Sequence, residues 1–158
     1  KKIDIPNDTL VIHLRSGDIF EKAKYFDQVQ NPLNFYLEVI KNYKNILIVT
    51  SQEKNNPVLS YLENLPNCNI EIQSKSVNED FNTLLNARNL CLSGIGTLKK
   101  LYFSNIYLRS HLNPEMVDIK KVDKIEYKIE NYYNAGKWST HEEVIDSMLD
   151  ERVKIEKI

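Results

Sequence analysis

Residues that can bind a phosphate group cluster where the first apolar run of the chain ends. The run over residues 10–14 predicts a buried strand, and Arg15, Gly17 and Asp18 follow it directly. An open parallel sheet binds ligands at the carboxyl ends of its strands. Arginine carries a permanent charge and a planar fork of donors that fits phosphate oxygens, and a glycine lets the backbone approach a ligand closely. We therefore predict an anion site at this strand end, which includes His13.

Each candidate residue also has a purely structural interpretation. Arg15 and Asp18 can form an ion pair, and a histidine such as His13 at the end of a buried strand is more often a core residue than a catalytic one. Asp80, near the start of a predicted helix, is favoured there by the helix dipole alone. The segment 93–97 has two glycines and two hydroxyls ahead of a predicted helix, which suits an anion but also suits an ordinary turn.

Apolar runs alternate with segments of helical periodicity, which predicts an α/β fold with a doubly wound, mostly parallel, Rossmann-like sheet. Residues 1–114 are predicted to form this domain, and residues 115–158 a carboxyl-terminal extension whose terminal helix packs on it. The loop over 16–31 is long for a strand-to-helix connection, and we predict a disordered segment or a lid. The predicted strands are 10–14, 46–50, 69–73, 89–93 and 105–108, and the predicted helices are 33–40, 56–65, 77–87, 98–104 and 140–149.

Composition narrows the classes of function. The 158 residues carry a net charge of −1 and show no basic stripe, which argues against a nucleic-acid partner. Two cysteines, Cys68 and Cys91, make a disulfide framework improbable. His13, His111 and His141 are too scattered to propose a zinc site. No apolar run approaches the ~20 residues that cross a bilayer.

The run HLRSGD at 13–18 resembles the His-x-Arg-Arg-x-Asp motif of GDP-fucose-dependent fucosyltransferases, a superfamily that includes α1,2-, α1,6- and protein O-fucosyltransferases. The resemblance extends through NPLNFY at 31–36, IVT at 48–50, and the segment from Glu79 to Ser93, with a weaker match at Lys137–Trp138. It implies the GT-B fold, in which two Rossmann-like lobes enclose the active site. The motif opens the donor-binding lobe, so we expect residues 1–114 to bind a nucleotide sugar and the acceptor-binding lobe to be missing.

The resemblance also implies roles for individual residues. Arg15 matches the arginine that holds the β-phosphate of GDP-fucose and is the expected catalytic residue. His13 matches a histidine near the nucleotide, and Asp80 matches a carboxylate that accepts hydrogen bonds from guanine. Ser93 and Thr97 fall in a segment that contacts the phosphates. The expected site for the GDP-sugar comprises His13, Arg15, Gly17, Asp18, Asp80, Ser93 and Thr97.

The implied reaction is transfer of fucose from GDP-fucose to a glycan or another hydroxyl acceptor with inversion. Charge grows on the departing β-phosphate, and a fixed arginine stabilises it. The chain has no Asp-x-Asp triplet, so we expect neither a metal nor a cofactor beyond the donor substrate. The isolated lobe is expected to bind nucleotide but to transfer little sugar, and the general base stays open between Asp18 and the missing lobe.

The motif departs from the family pattern at its second arginine, which is Ser16 here. This departure leaves the identity of the donor sugar open. Two alternatives to a glycosyltransferase also stay open. One is a non-catalytic Rossmann-like module that binds a nucleotide or a partner protein, and the other is an unrelated doubly wound domain. Members of the superfamily work in the Golgi lumen or at the bacterial cytoplasmic face, and the sequence favours neither compartment.

Overall fold

The computed structural model describes residues 1–21, 28–93, 105–109 and 123–158. Its strands are β1 (Thr9–Leu14), β2 (Asn45–Thr50), β3 (Asn69–Gln73), β4 (Asn89–Cys91), β5 (Asn105–Arg109), β6 (Asp123–Glu130) and β7 (Lys154–Lys157). Its α-helices are α1 (Leu33–Ile40), α2 (Leu59–Leu62), α3 (Val77–Leu85) and α4 (His141–Met148). The strands form one sheet in the order β3-β2-β1-β4-β5-β6-β7. The strands β1 to β6 are parallel to their neighbours, and β7 is antiparallel to β6.

The sheet is covered on both faces because the side chains of a strand alternate between them. Leu10, Ile12 and Leu14 of β1 are fully buried in a core shared with α1, α2 and α4. Val11 points to the other face and packs in a second core with Leu84 of α3. Helices on both faces of a parallel sheet with the order 3-2-1-4-5-6 describe a Rossmann-like arrangement. The predicted α/β fold with a mostly parallel, doubly wound sheet is therefore confirmed.

Four predicted elements are shorter than expected, and two of them differ by only two residues: the helix predicted over 77–87 is Val77–Leu85, and the helix predicted over 140–149 is His141–Met148. The helix predicted over 56–65 is only α2 at Leu59–Leu62, because the Asn56 side chain accepts a hydrogen bond from the Val58 N–H (3.0 Å) and holds a turn there. The strand predicted over 89–93 ends at Cys91, the last residue of β4 that pairs with β1. The predicted helix at 98–104 and the predicted domain boundary at 114/115 lie outside the described residues.

The prediction of a disordered segment or a lid over 16–31 is wrong for both ends of that loop. Ser16, Ile19 and Asn31 are at most 6% exposed, and Gln30 is 8% exposed. The Asn31 amide donates to the Leu92 carbonyl oxygen (2.8 Å), which fastens the loop to the sheet. The polar composition hid this burial because Ser16, Gln30 and Asn31 each make at least one hydrogen bond inside the fold. Residues 22–27 of the loop lie outside the described residues.

The carboxyl-terminal part of the chain extends the same sheet. Ile125, Tyr127 and Ile129 alternate with charged residues along β6, and β7 pairs with β6 at the edge. Trp138 is buried in the core that includes α4, and its indole N–H donates to the Ser147 hydroxyl (3.0 Å). Within the described ranges, no helix combines the length and apolar character that a bilayer crossing needs.

Candidate functional site

A cavity of about 840 Å³ opens at the carboxyl ends of β1, β2 and β3, beside the amino end of α3. It lies where the chain reverses direction across the sheet, since β1 has β2 on one side and β4 on the other. Ligands of open α/β sheets bind at this kind of position. The predicted site residues among those lining the cavity are His13, Arg15, Asp80 and Ser93.

Arg15 stands at the centre of this edge. Its backbone N–H donates to the Ser93 hydroxyl (3.0 Å), which ties the end of β1 to the second residue after β4. Its guanidinium Nη2 donates to Asp18 Oδ1 (2.7 Å), and the two side chains are 46% and 49% exposed. An exposed ion pair contributes only ~0–1 kcal/mol. The guanidinium can therefore exchange Asp18 for another anion at little cost.

Ser16, which replaces the second arginine of the resembled motif, faces the interior. It is 2% exposed, and its hydroxyl oxygen accepts hydrogen bonds from the Thr50 hydroxyl (2.8 Å) and the Asn56 N–H (3.3 Å). The Asn56 amide in turn donates to the Arg15 carbonyl oxygen (2.8 Å). This network joins the loops that follow β1 and β2. Position 16 thus supports the backbone of Arg15 from inside the fold.

Gly17 is required by its own backbone. Its φ is +93° and its ψ is −136°, a combination that side-chain-bearing residues rarely adopt. An added Cβ would meet Glu53 and Ser51 atoms only at ordinary contact distances of 3.6 Å, so the backbone conformation, rather than crowding within the chain, requires a glycine here. The Gly17 N–H donates to Asn55 Oδ1 (2.6 Å), and the Asn55 amide donates to the Gly17 carbonyl (3.1 Å).

His13 presents a neutral imidazole to the cavity. Burial, reinforced by the positive charge of Arg15, lowers the pKa of His13 to about 4. Its Nδ1 is buried and has no hydrogen-bond partner among the described residues. A buried polar atom of this kind calls for a specific reason. Its position in the cavity makes a ligand group one such reason.

Asp80 braces the loop that joins β3 to α3. Its Oδ1 accepts from the Gln73 amide (2.8 Å) and the Lys75 N–H (3.2 Å), and its Oδ2 accepts from the same Lys75 N–H (3.1 Å). A carboxylate oxygen has two lone pairs, so Oδ2 retains one acceptor position. Asp80 also lies in the first turn of α3, where the helix dipole favours a carboxylate. The residue nevertheless lines the cavity.

The first turns of α3 form an apolar wall on one side of the cavity. Val77, Phe81 and Leu84 are spaced at i, i+4 and i+7, so they share one face of the helix, and all three line the cavity. Val77 is 84% exposed, which is unusual for an apolar residue beside a polar strand edge. The wall is suited to a flat, partly apolar group.

The amino end of α3 uses two of its backbone donors within the chain. The Ser76 hydroxyl accepts from the Glu79 N–H, and the Glu79 carboxylate accepts from the Ser76 N–H, which completes a capping box. Glu79 and Asp80 also place negative charge in the first turn, where it offsets the helix dipole. An anion in the cavity is therefore directed toward Arg15.

The remaining predicted site residues are not among the described residues that line the cavity. Asp18 contacts Arg15 beside the cavity, Gly17 lies behind it against Asn55, and Thr97 lies outside the described residues. Sequence reasoning missed the contributions of Gln30 and Glu53, which also line the cavity. The Ser51 hydroxyl and the charge of Arg15 lower the pKa of Glu53. Glu53 follows β2 closely, and that position was a usable signal.

No group of three or more His, Cys, Asp or Glu side chains that could hold a metal ion occurs within the ranges that the structure describes. A scan of protein-family models finds no match to this chain, and searches of curated proteins and of solved structures find none either.

Proposed function

We propose that this chain is the donor-binding lobe of a glycosyltransferase of the GT-B type that transfers a sugar, fucose or a related one, from a GDP-sugar to a hydroxyl acceptor with inversion. The observation that carries the proposal is the cavity at the carboxyl edge of the sheet, which brings Arg15, His13, Asp80 and Ser93 to one place. The resemblance of the run at 13–18 to the fucosyltransferase motif is the reason for proposing GDP as the nucleotide and fucose as the sugar.

The diphosphate is proposed to lie against Arg15. Its guanidinium is half-exposed, and Asp18 is the one described residue that pairs with it, so a phosphate oxygen can replace that carboxylate. Hydrogen bonds between a guanidinium and a phosphate are charge-assisted and can be bidentate. As the bond to the sugar breaks, negative charge grows on the β-phosphate, and the positioned guanidinium stabilises the transition state more than the ground state. His13 stays neutral near pH 7, so Arg15 rather than His13 supplies positive charge at the diphosphate.

The base is proposed to lie against the apolar wall of α3. Val77 and Phe81 offer contact to a ring face, and the free acceptor position on Asp80 Oδ2 suits a ring N–H or amino group of guanine. The capping box at Ser76 uses two donors of this helix end, and Glu79 and Asp80 place negative charge there, which disfavours phosphates at that end. The nucleotide is therefore oriented with its base at α3 and its diphosphate at Arg15.

Calorimetric titration of the chain with GDP, without added metal, tests this proposal. We expect saturable binding, and we expect Arg15→Ala to weaken it by roughly 10- to 100-fold, because hydrogen bonds to a charged group contribute ~1.5–3 kcal/mol. The matched control is Arg88→Ala. Arg88 is an exposed arginine immediately before β4, so it lies at the amino ends of the strands, away from the cavity at their carboxyl ends.

Two results would overturn the proposal. One is the absence of GDP binding by the folded wild-type chain, and the other is equal loss of affinity in the Arg15 and Arg88 variants. ATP and UDP serve as competing nucleotides in the same titration. Preference for either of them over GDP would remove the assignment of guanine while leaving a nucleotide site.

A further inference from the structure

Gln30 lies in the cavity wall on the side away from α3. It is 8% exposed and belongs to the segment that leads into α1, on the sheet face opposite α3. The Tyr132 hydroxyl donates to the Gln30 carbonyl oxygen (2.8 Å), and the neighbouring Asn31 amide donates to the Leu92 carbonyl (2.8 Å). These two bonds hold Gln30 close to the end of β4, near Ser93.

The orientation of the Gln30 amide is fixed by the one hydrogen bond that this group makes to a described residue. Its Nε2 lies 3.2 Å from the carbonyl oxygen of Gln28, and a carbonyl only accepts, so the nitrogen faces Gln28. The amide oxygen Oε1 is therefore directed elsewhere, and it is buried without a partner among the residues that the structure describes. Buried acceptors in proteins are almost always paired, so this oxygen lacks a donor that a ligand can provide.

The position of Gln30 relative to Arg15 indicates which part of a nucleotide sugar would provide that donor. Arg15 and Ser93 follow the two central strands, β1 and β4, while α3 packs on one face of the sheet and α1, which follows Gln30 in the chain, packs on the other. With the base on the α3 side and the diphosphate at Arg15, the sugar extends toward Gln30. A sugar offers hydroxyl donors, and a neutral amide oxygen accepts from a hydroxyl.

We propose that Gln30 Oε1 accepts a hydrogen bond from a hydroxyl group of the donor sugar and thereby selects that sugar. This inference rests on the function proposed above. A site that pairs a buried polar group with a substrate hydroxyl discriminates strongly against an analogue without it, because the protein group is then left unpaired. Gln30 is thus a specificity-determining residue that contacts the part of the donor to be transferred.

The experiment compares the affinities of GDP and GDP-fucose for the wild-type chain, Gln30→Met and Gln28→Met. Methionine keeps the length of the side chain and removes the acceptor. We expect Gln30→Met to bind GDP within about twofold of wild type and to bind GDP-fucose roughly tenfold more weakly, the loss expected for one hydrogen bond. Gln28→Met is the comparison variant: Gln28 also lines the cavity, but it is exposed, and the substitution keeps the backbone oxygen that accepts the hydrogen bond from Gln30.

Each outcome supports or overturns the inference. Equal losses for GDP and GDP-fucose in Gln30→Met, or no loss for either, would overturn it and leave the nucleotide site standing. Failure of the wild-type chain to bind either ligand would overturn the proposed function together with it. If Gln30→Met does not fold, the wild-type chain is titrated with GDP-fucose analogues that each lack one hydroxyl. One analogue is then expected to bind roughly tenfold more weakly than the others, and uniform affinities would refute the role of Gln30.

Discussion

Mild acid is expected to destabilise the folded chain through His13. The pKa of this imidazole is about 4 in the folded chain and close to the ordinary value of ~6.5 in the unfolded chain. Between these two values the unfolded state binds a proton that the folded state excludes, so the free energy of unfolding falls as the pH falls. At ~1.36 kcal/mol per pKa unit, the loss is about 2 kcal/mol from pH ~6.5 to ~5 and about 3 kcal/mol by pH ~4.

The perturbation that isolates this contribution is His13→Gln, which keeps a polar side chain that does not titrate. Urea unfolding of wild type and variant is followed at pH values of about 7, 6 and 5, and the difference between the two free energies of unfolding is plotted against pH. All other titrating groups are shared and cancel in that difference to first order. We expect the variant to gain about 2 kcal/mol relative to wild type between the two ends of this range. A difference that does not change with pH would refute the burial of a neutral His13.

Two further predictions concern the loop that carries Arg15. Ser16→Ala leaves the Thr50 hydroxyl and the Asn56 N–H without their acceptor. We therefore expect the free energy of unfolding to fall by ~1–3 kcal/mol and the midpoint of thermal unfolding to fall with it. An unchanged midpoint would contradict the buried network. Gly17→Ala places a side chain on a backbone with a φ of +93°, and we expect this strain to lower the free energy of unfolding by ~1–3 kcal/mol, although the Cβ itself has room. Urea unfolding at neutral pH measures the difference. A variant as stable as wild type would contradict this reasoning.

Periodicity predicted the central half of the sheet because those strands are buried on both faces. Continuous apolar runs such as the one in β2 are typical of parallel strands, and the bounds of α1 and β3 agree with the expected ones. The strand β6 was missed although Ile125, Tyr127 and Ile129 alternate with charged residues, which is the pattern of a half-buried strand. The edge strand β7 has a single inward apolar residue, Ile155, among charged ones, so its sequence gives little signal before its partner is known.

The site was predictable where it depends on strand ends and unpredictable where it depends on loop contacts. Arg15 and Ser93 follow strands that pair with each other, so the sheet order brings them together. Gln30 reaches the cavity through a polar segment whose burial depends on bonds from Tyr132 and Asn31. Partners that lie 61 and 102 residues apart leave no mark on local sequence patterns.

The double hydrogen bond between Gly17 and Asn55 sets a constraint on an exposed part of the chain. Asn55 comes immediately after the turn closed by the hydrogen bond from the Lys54 N–H to the Ser51 carbonyl (3.2 Å). Surface connections usually tolerate insertions and deletions. Here a change of one residue in the length of that turn would displace Asn55 from Gly17 and Asn56 from the Arg15 carbonyl. We therefore expect the chain to tolerate a change in the number of residues between Ser51 and Asn55 as poorly as a change at a packed interior residue, even though the turn itself faces solvent.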